Sequence, residues 1–150
     1  MKARPKKDSY FVAVKLFLEH KGKFFITKDR FGDWDLPGGR LLTTEFNTPL
    51  EKVVARKIRE ELGGRLKYAL GKPVVFMRHE RNEIVSEGKR EKKRIFAIGY
   101  QARYTGGVIS LGDNHIDGEW VGIKTFKPEK YFRGGWLKGV KEYLHIKNSR

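Results

Sequence analysis

The stretch that decides the fold is Leu36–Gly64, LPGGRLLTTEFNTPLEKVVARKIREELGG. Its second half carries the signals of one α-helix. Thr48 can cap the helix start, Pro49 suits the first helical position, and Glu51 completes a capping box. Gly63 then marks the helix end, because glycine adopts the backbone conformation that closes a helix at little steric cost.

Two faces of this predicted helix differ in chemistry. Lys57, Glu60 and Glu61 lie three and four residues apart and therefore share one face. Two adjacent carboxylates repel each other, and a divalent cation would remove that cost; hard oxygen ligands suit Mg²⁺ or Mn²⁺. A solvated acidic helix end is the alternative interpretation. The neighbouring stripe is apolar and is predicted to face the core: Val54, Ala55, Ile58 and Leu62.

Upstream of the helix, the residues Leu36–Arg40, called the glycine turn below, form a tight turn that exposes backbone groups. Together with the helix, this turn resembles the Nudix box of the Nudix hydrolase family. The family pattern is G-x5-E-x7-R-E-U-x-E-E-x-G-U, where U is an aliphatic residue. The positions that match it are Gly39, Glu45, Arg56, Ile58, Glu60, Glu61 and Gly63.

Three departures from the family pattern are visible. Residues 46–55 make a spacer three residues longer than the pattern, which is expected to lengthen the loop before the helix. Gly64 stands where the pattern has an aliphatic residue. Lys57 stands where the family has its first helix glutamate, which commonly ligates metal and can serve as a base. A protonated lysine can do neither, so the resemblance implies weakened metal binding and slow turnover.

The order of predicted elements is strands, helix, strands, helix, which indicates an α/β protein with a mixed sheet covered by helices. The resemblance sharpens this prediction to a Nudix-type α/β/α sandwich with a mixed β-sheet. The helix within Leu36–Gly64 would pack on one face of the sheet. A C-terminal helix, predicted over Trp136–Ile146 from its apolar spacing, would pack on the other.

The resemblance implies a pyrophosphohydrolase that depends on Mg²⁺ or Mn²⁺ and acts on a nucleoside diphosphate linked to another group. The implied metal ligands are Glu60 and Glu61, which also count as catalytic residues. Glu45 is either a further ligand or the partner that holds the catalytic Arg56. A carboxylate from the loop 112–119 is expected to replace the base lost at Lys57. The candidates are Asp113, Asp117 and Glu119. His115 in the same loop is a possible acid–base group or simply a turn residue.

Substrate contacts are predicted around the glycine turn. Gly38 and Gly39 expose backbone there, and Arg40 can form paired hydrogen bonds with phosphate oxygens. Trp34 can stack on a base or sugar, although packing of its loop against the core explains it equally well. Lys57 can contact phosphate as a fixed cation.

Two other functions remain open at this stage. The first is a Nudix-like module that binds nucleotide or RNA with little or no hydrolysis, which Lys57 and the basic composition favour. The second is a basic protein-interaction scaffold with a vestigial site. Metal-dependent release of phosphate or nucleotide would separate the hydrolase from both, and nucleotide or RNA binding without turnover would select the first.

Composition sets the remaining expectations. The 150 residues suffice for one domain, predicted over 9–150 after a basic tail at 1–8, and the formal charge of +15 favours polyanionic ligands. The absence of cysteine excludes disulfides and thiolate chemistry. With no apolar signal or membrane-length run, we expect a cytoplasmic protein without a membrane partner. Nudix proteins are often dimers, so a homodimer is also open.

The other predicted elements are assigned from local patterns. A charged loop is expected over 78–93; with the strands on either side it could form a basic hairpin, and an ordinary solvated hairpin tip is the alternative. A polar acidic loop is expected over 112–119. Strands are predicted at the following segments: 10–18, 24–27, 40–42, 65–70, 73–77, 94–104 and 108–111.

Overall fold

The fold is built on a seven-stranded sheet with one α-helix on each face. The computed structural model describes residues 3–149, so residues 1 and 2 of the predicted tail and residue 150 of the predicted domain lie outside it. The strands are β1 Phe11–His20, β2 Lys23–Asp29, β3 Trp34–Asp35, β4 Gly38–Arg40, β5 Leu66–Ser86, β6 Lys89–Gly107 and β7 His115–Gly122. The helices are α1 Leu50–Leu62 and α2 Gly134–Asn148, with 3-10 turns at Thr43–Glu45 and Pro128–Lys130.

The sheet is mixed because one of its pairings is parallel. Its main order is β3-β2-β1-β6-β5, with β4 added to β1 and β7 added to β2. Strands β1 and β6 run parallel, and the other pairs run antiparallel. Strand β4 lies beside β1 in antiparallel register, which places the glycine turn against the middle of the sheet.

Strand β1 separates the two layers because successive side chains point to opposite faces. Val14, Leu16 and Leu18 belong to the core on the α1 side, whereas Ala13 and Phe17 belong to the core on the α2 side. Helix α1 contributes Val53, Val54, Ile58 and Leu62 to its core, and α2 contributes Trp136, Val140, Tyr143 and Leu144 to the other. The prediction of an α/β/α sandwich with a mixed sheet is therefore confirmed.

The segment 78–93, for which a charged loop is predicted, forms the distal part of a long hairpin. Strands β5 and β6 pair along it as far as Ser86 and Lys89, and Gly88 turns the chain with φ +73°. Strand β1 pairs with β6 only from Ile95 to Arg103. The tip of the hairpin therefore extends past the sheet as a two-stranded ribbon. Cross-strand hydrogen bonds and ion pairs hold this ribbon. Neither kind of contact produces the periodic pattern of apolar residues from which strands are predicted.

The start of α1 also differs from the prediction. Pro49 is the N-cap residue and no side chain caps the helix there, so Thr48 lies one residue too early to do so. A 3-10 turn at Thr43–Glu45 precedes the longer spacer, which begins with a turn closed by the Thr48 N–H donating to the Glu45 carbonyl at 3.0 Å. The extra residues are thus used in a compact turn before the helix.

Three shorter predictions are corrected as well. The strand expected at 40–42 ends at Arg40, and segment 108–111 is not a strand. The acidic loop expected at 112–119 becomes strand β7 from His115 onward, because it pairs with β2. Neither helix of the described chain combines the length and the apolar character needed to cross a bilayer.

Candidate functional site

A buried charge in the middle of β1 lies at the base of the site. The ammonium of Lys15 is 2.9 Å from both carboxylate oxygens of Asp35, and the Lys15 side chain is only 6% exposed. The same ammonium lies 4.9 Å from the ring centre of Trp136 in α2, within cation–π range. A charge this deep requires such a partner, because desolvation penalises an unpaired ion.

The glycine turn is shaped by close packing on both sides. Gly38 has φ +143°, and a Cβ on it would lie 2.8 Å from the Cα of Lys15. A Cβ on Gly39 would lie 2.8 Å from the Nζ of Lys57. Gly38 therefore lets the turn lie against the backbone of β1, where a side chain would not fit, and Gly39 leaves room for the flexible end of Lys57.

Glu45 and Arg56 form a closed ion pair beside the turn. The Arg56 Nε donates to one Glu45 oxygen at 2.6 Å, and its Nη2 donates to the other at 2.5 Å. The backbone N–H of Leu42 also donates to Glu45 at 2.8 Å. Hydrogen bonding from Arg56 lowers the pKa of the Glu45 carboxyl. Glu45 thus holds Arg56 and the preceding turn, the second of the two roles considered for it.

Lys57 contacts both carboxylates at the end of α1. Its Nζ lies 3.1 Å from Glu60 and 3.6 Å from Glu61. Arg56 donates to Glu60 from the other side at 2.9 Å. Carboxylates near a helix C-terminus face the negative end of its dipole. Arg56 and Lys57 offset this unfavourable interaction with the helix dipole. Burial acts to raise the pKa of Glu60, but hydrogen bonds from Arg56 and Lys57 lower it overall.

Of the two carboxylates at the end of α1, Glu61 is the more enclosed. The backbone N–H of Gly38 donates to its Oε1 at 3.1 Å, and His115 Nε2 lies 3.8 Å from the same oxygen. Burial raises the pKa of Glu61, although Lys15, Gly38, His115 and Lys57 each act to lower it. A buried carboxylate with a raised pKa is a candidate for proton transfer.

These groups line a cavity of about 220 Å³ between the glycine turn and the ends of α1 and α2, called the main cavity below. Lys15, Lys57 and Glu61 contribute to its walls, and Arg81 reaches it from the β5–β6 hairpin. Arg40 also lines it, but its guanidinium is paired with Glu83 and lies over the ring of Phe11. A phosphate contact by Arg40 would therefore compete with Glu83.

A second cavity of about 280 Å³, called the aromatic cavity below, shares Asp35, Arg81 and Trp136 with the main cavity. Trp34 and Tyr131 line it with their rings 5.3 Å apart and nearly perpendicular. Trp34 is half-buried and also packs against the α2-side core. The structure thus places Trp34 beside the glycine turn, in the neighbouring cavity.

The side chains present do not fit a divalent ion bridging Glu60 and Glu61, because the Lys57 ammonium already contacts both. Within residues 3–149 there is no group of three or more His, Cys, Asp or Glu side chains arranged to hold a metal ion. Direct metal binding by Glu60 and Glu61 therefore stays a prediction, and it requires Lys57 to move.

The structure brings together most of the predicted residues but not the predicted base. Asp113, Asp117 and Glu119 line neither of the two cavities defined above. His115 is the member of that segment that reaches Glu61, and its Nδ1 is buried without a hydrogen-bond partner among the described residues. Spacing alone could not distinguish it from its neighbours, because the pairing of β7 with β2 decides which side chain points inward.

Four charged or aromatic residues in the walls of the main cavity were not predicted from the sequence: Lys15, Asp35, Arg81 and Trp136. One signal could have found the first of them. Lys15 is the one charged residue in the otherwise apolar run FVAVKLFL, and a lone charge in a buried strand needs a nearby partner. Arg81 and Trp136 had no such signal, since the hairpin and α2 reach the site only in three dimensions.

Comparison with known proteins identifies the fold. No protein-family model matches the sequence, and no curated protein matches it either. The structure is similar to that of the MutT protein from Methanosarcina mazei Go1, with TM-score 0.73, 21% identity, and 97% of this chain and 100% of that chain covered. It is also similar to an ADP-ribose pyrophosphatase from Streptococcus suis, with TM-score 0.65, 12% identity, and 95% of each chain covered.

A third similar structure is the MutT Nudix hydrolase from Burkholderia pseudomallei. Its TM-score is 0.60 at 20% identity, with 90% of this chain and 98% of that chain covered. All three alignments span nearly the whole of both chains, so the likeness concerns the complete sandwich. The chain therefore has the fold of these Nudix hydrolases.

Proposed function

We propose that the chain binds a nucleoside diphosphate linked to a second group and hydrolyses the diphosphate bond slowly. One observation carries the proposal: three cations, Lys15, Lys57 and Arg81, line the same cavity as the half-buried carboxylate of Glu61. Cations in a partly enclosed cleft favour a phosphate-bearing ligand, since their interactions with it are screened less than at an open surface. The Nudix fold supports the same class of reaction.

The chemistry assigned to this site is attack of water on one phosphorus atom. A new bond forms between the water oxygen and phosphorus, and the bond from that phosphorus to the bridging oxygen breaks. Glu61 accepts the proton of the water. The bridging oxygen leaves with the other phosphate group, and the nearby cations offset its developing charge.

The nucleoside end of the ligand is assigned to the aromatic cavity. Trp34 and Tyr131 supply aromatic rings there, and stacking on aromatic rings is a common way to bind a base. Because the two cavities share Asp35 and Arg81, a diphosphate in the first and a base in the second belong to one continuous ligand.

Mg²⁺ or Mn²⁺ is proposed as the counterion of the nucleotide, bound through phosphate oxygens. Such an ion would neutralise phosphate charge and polarise the reacting phosphorus. Glu60 and Glu61 are the protein carboxylates assigned to meet it. This arrangement differs from a metal site complete within the protein, which the contacts of Lys57 disfavour.

A panel of substrates tests the proposal. Wild type and Glu61→Gln would be assayed with Mg²⁺ and with Mn²⁺ against a nucleoside triphosphate, a nucleotide sugar, ADP-ribose, a dinucleoside polyphosphate and a capped RNA. Glu51→Gln is the matched control, since Glu51 is exposed in the first turn of the same helix. Hydrolysis of at least one compound by wild type and Glu51→Gln, and its loss in Glu61→Gln, is expected. If wild type hydrolyses none of the compounds, the proposal that the chain is a hydrolase is wrong.

A module that binds nucleotide without turnover is the second candidate, and one observation favours it. Lys57 is in ion-pair contact with both carboxylates that a metal would otherwise use. Saturable nucleotide binding without product release in the same panel would select this candidate.

A further inference from the structure

Lys57 is held in a defined position at the wall of the main cavity. Its side chain is 19% exposed, although lysine side chains usually extend into solvent. It lies against Gly39, where the missing Cβ leaves room for it. Its Nζ is in contact with Glu60 on one side and Glu61 on the other. The ammonium is therefore a cation fixed by its surroundings.

Both carboxylates have donors other than Lys57, although Glu60 itself is 49% exposed. Arg56, itself paired with Glu45, holds Glu60, and the backbone of Gly38 holds Glu61. These donors already meet part of the hydrogen-bonding capacity of each carboxylate. A divalent ion entering between them would meet the positive charge of Lys57 at close range.

The ammonium also retains capacity for a ligand. It has three N–H donors, and Glu60 accepts one of them at 3.1 Å. Because Lys57 lines the main cavity, oxygens of a ligand bound there can accept from the remaining donors. The phosphate of such a ligand would then bridge Lys57 and the other cations of the cavity.

We propose that Lys57 is a tethered cation that takes the place of a divalent ion between Glu60 and Glu61. The nucleotide-free protein then takes up no divalent ion at this position, and the diphosphate binds through Lys57 even when divalent ions are removed. This inference rests on the proposed function for the identity of the ligand, but the statement about the free protein does not.

The first test measures Mn²⁺ binding to the nucleotide-free protein by electron paramagnetic resonance and titration calorimetry. Lys57→Glu replaces the cation with a third carboxylate, and Lys52→Glu makes the same charge change at an exposed position of the same helix. Lys57→Glu is expected to bind Mn²⁺ ~10-fold or more tightly than both wild type and Lys52→Glu. Equal affinity in all three proteins, or tight binding by wild type at this position, would overturn the inference.

The second test measures ADP binding in the presence of EDTA, with Lys57→Gln as the variant and Lys52→Gln as its control. Wild type and Lys52→Gln are expected to bind ADP, and Lys57→Gln to bind it ~10-fold more weakly, as for loss of one charged hydrogen bond. Equal ADP affinity in wild type and Lys57→Gln would reject the phosphate contact.

The two tests separate failure of the inference from failure of the proposed function. If ADP does not bind wild type with or without Mg²⁺, the proposed function fails and the phosphate contact fails with it. The Mn²⁺ measurement still decides whether Lys57 takes the place of the divalent ion. Circular dichroism of all variants confirms that each is folded.

Discussion

Two clusters of acidic and basic side chains lie at helix α1. They differ in how completely their charged groups are paired within the protein. In the first, Glu45 is 8% exposed and accepts hydrogen bonds from Arg56 and from the backbone of Leu42. In the second, Lys57, Glu60 and Glu61 line or border the main cavity. The first cluster satisfies its charges within the protein, whereas the second keeps donors available to a ligand.

This difference separates two uses of the same residue types. A closed pair fixes the course of the chain, since every polar group in it has a partner and none can be given up without cost. A cluster at a cavity wall can exchange one contact for another when a ligand arrives. We therefore expect substitutions in the first cluster to change stability, and substitutions in the second to change binding and turnover.

The largest effect is expected for Glu61→Gln. Loss of the group that accepts the proton should lower the rate of hydrolysis by ~100-fold, because general-base catalysis contributes factors of this order. The measurement is kcat on whichever compound of the panel wild type hydrolyses. The free energy of unfolding in urea serves as the control, since an amide keeps the size of the side chain.

Glu61→Gln also sharpens the comparison of the two clusters. If the hydrolysis rate falls only as far as the loss of folded protein explains, Glu61 has a structural role like that of the Glu45–Arg56 pair. A rate that is unchanged would remove it from the reaction altogether.

The next effect is the loss of stability in Arg56→Gln. Arg56 donates charged hydrogen bonds to Glu45 and Glu60, and their removal should lower the free energy of unfolding by ~2 kcal/mol. Lys57→Gln, one residue further along the helix, should cost only a few tenths of a kcal/mol, because its partner Glu60 is 49% exposed. Urea denaturation at pH 7 measures both. Equal losses in the two variants would contradict the distinction.

A third closed contact, at the start of α2, gives a pH-dependent effect. His79 Nδ1 accepts hydrogen bonds from the backbone N–H groups of Gly135 and Trp136, and burial lowers the pKa of His79 to about 4. The neutral ring is thus favoured in the folded state. Its contribution to stability is complete above the ordinary pKa of 6.5 and is lost as the pH falls toward 4.

We expect stability to fall by ~1 kcal/mol between pH 6.5 and 4.5, a value reduced because His79 is only half-buried. His79→Gln offers an amide oxygen that can accept the same bonds without titrating. Urea denaturation across this range should show the decline in wild type and a flatter profile in the variant. The same decline in both proteins would assign it to other groups.

The smallest effect is expected from the hairpin ribbon. Several of its basic residues are already paired, Lys92 and Arg94 with Glu80 and Lys93 with Glu91. Replacing the lysines and arginines of 89–94 with glutamine should leave nucleotide hydrolysis unchanged, because the segment lies outside the main cavity. RNA oligomers should bind wild type weakly, with steep salt dependence.

Filter binding at near-physiological salt measures the RNA affinity of wild type and of the glutamine variant. Tight binding that the substitutions abolish would show that the excess charge serves long nucleic acids. It would also make the hairpin a second functional surface beside α1.

The sequence was sufficient to predict the two layers around α1 and α2, since periodic apolar stripes set their orientation. It suggested a hairpin here but not how far its strands extend, because most of Arg78–Ser86 and Lys89–Lys93 is held by cross-strand pairing and not by a buried face. The cap of α1 was also predicted one residue too early, because Pro49 is the N-cap residue and no side chain caps the helix there.

Within the site, local motifs predicted the pairs formed inside the turn and helix, but not the pairs formed with distant parts of the chain. Gly38, Gly39, Glu61 and Lys57 do meet, as their positions in the turn and helix suggested. Arg40 pairs with Glu83, a contact across 43 residues that no local pattern encodes. Contacts of this kind depend on where the long hairpin passes the glycine turn.

The most direct measurement of the central claim is anomalous diffraction from nucleotide-free crystals soaked in Mn²⁺, for wild type and Lys57→Glu. The account predicts no manganese within ligand distance of both Glu60 and Glu61 in wild type, where the Lys57 ammonium lies. It predicts a manganese peak at that position in Lys57→Glu. A peak between the two carboxylates of wild type, with Lys57 displaced, would contradict the account.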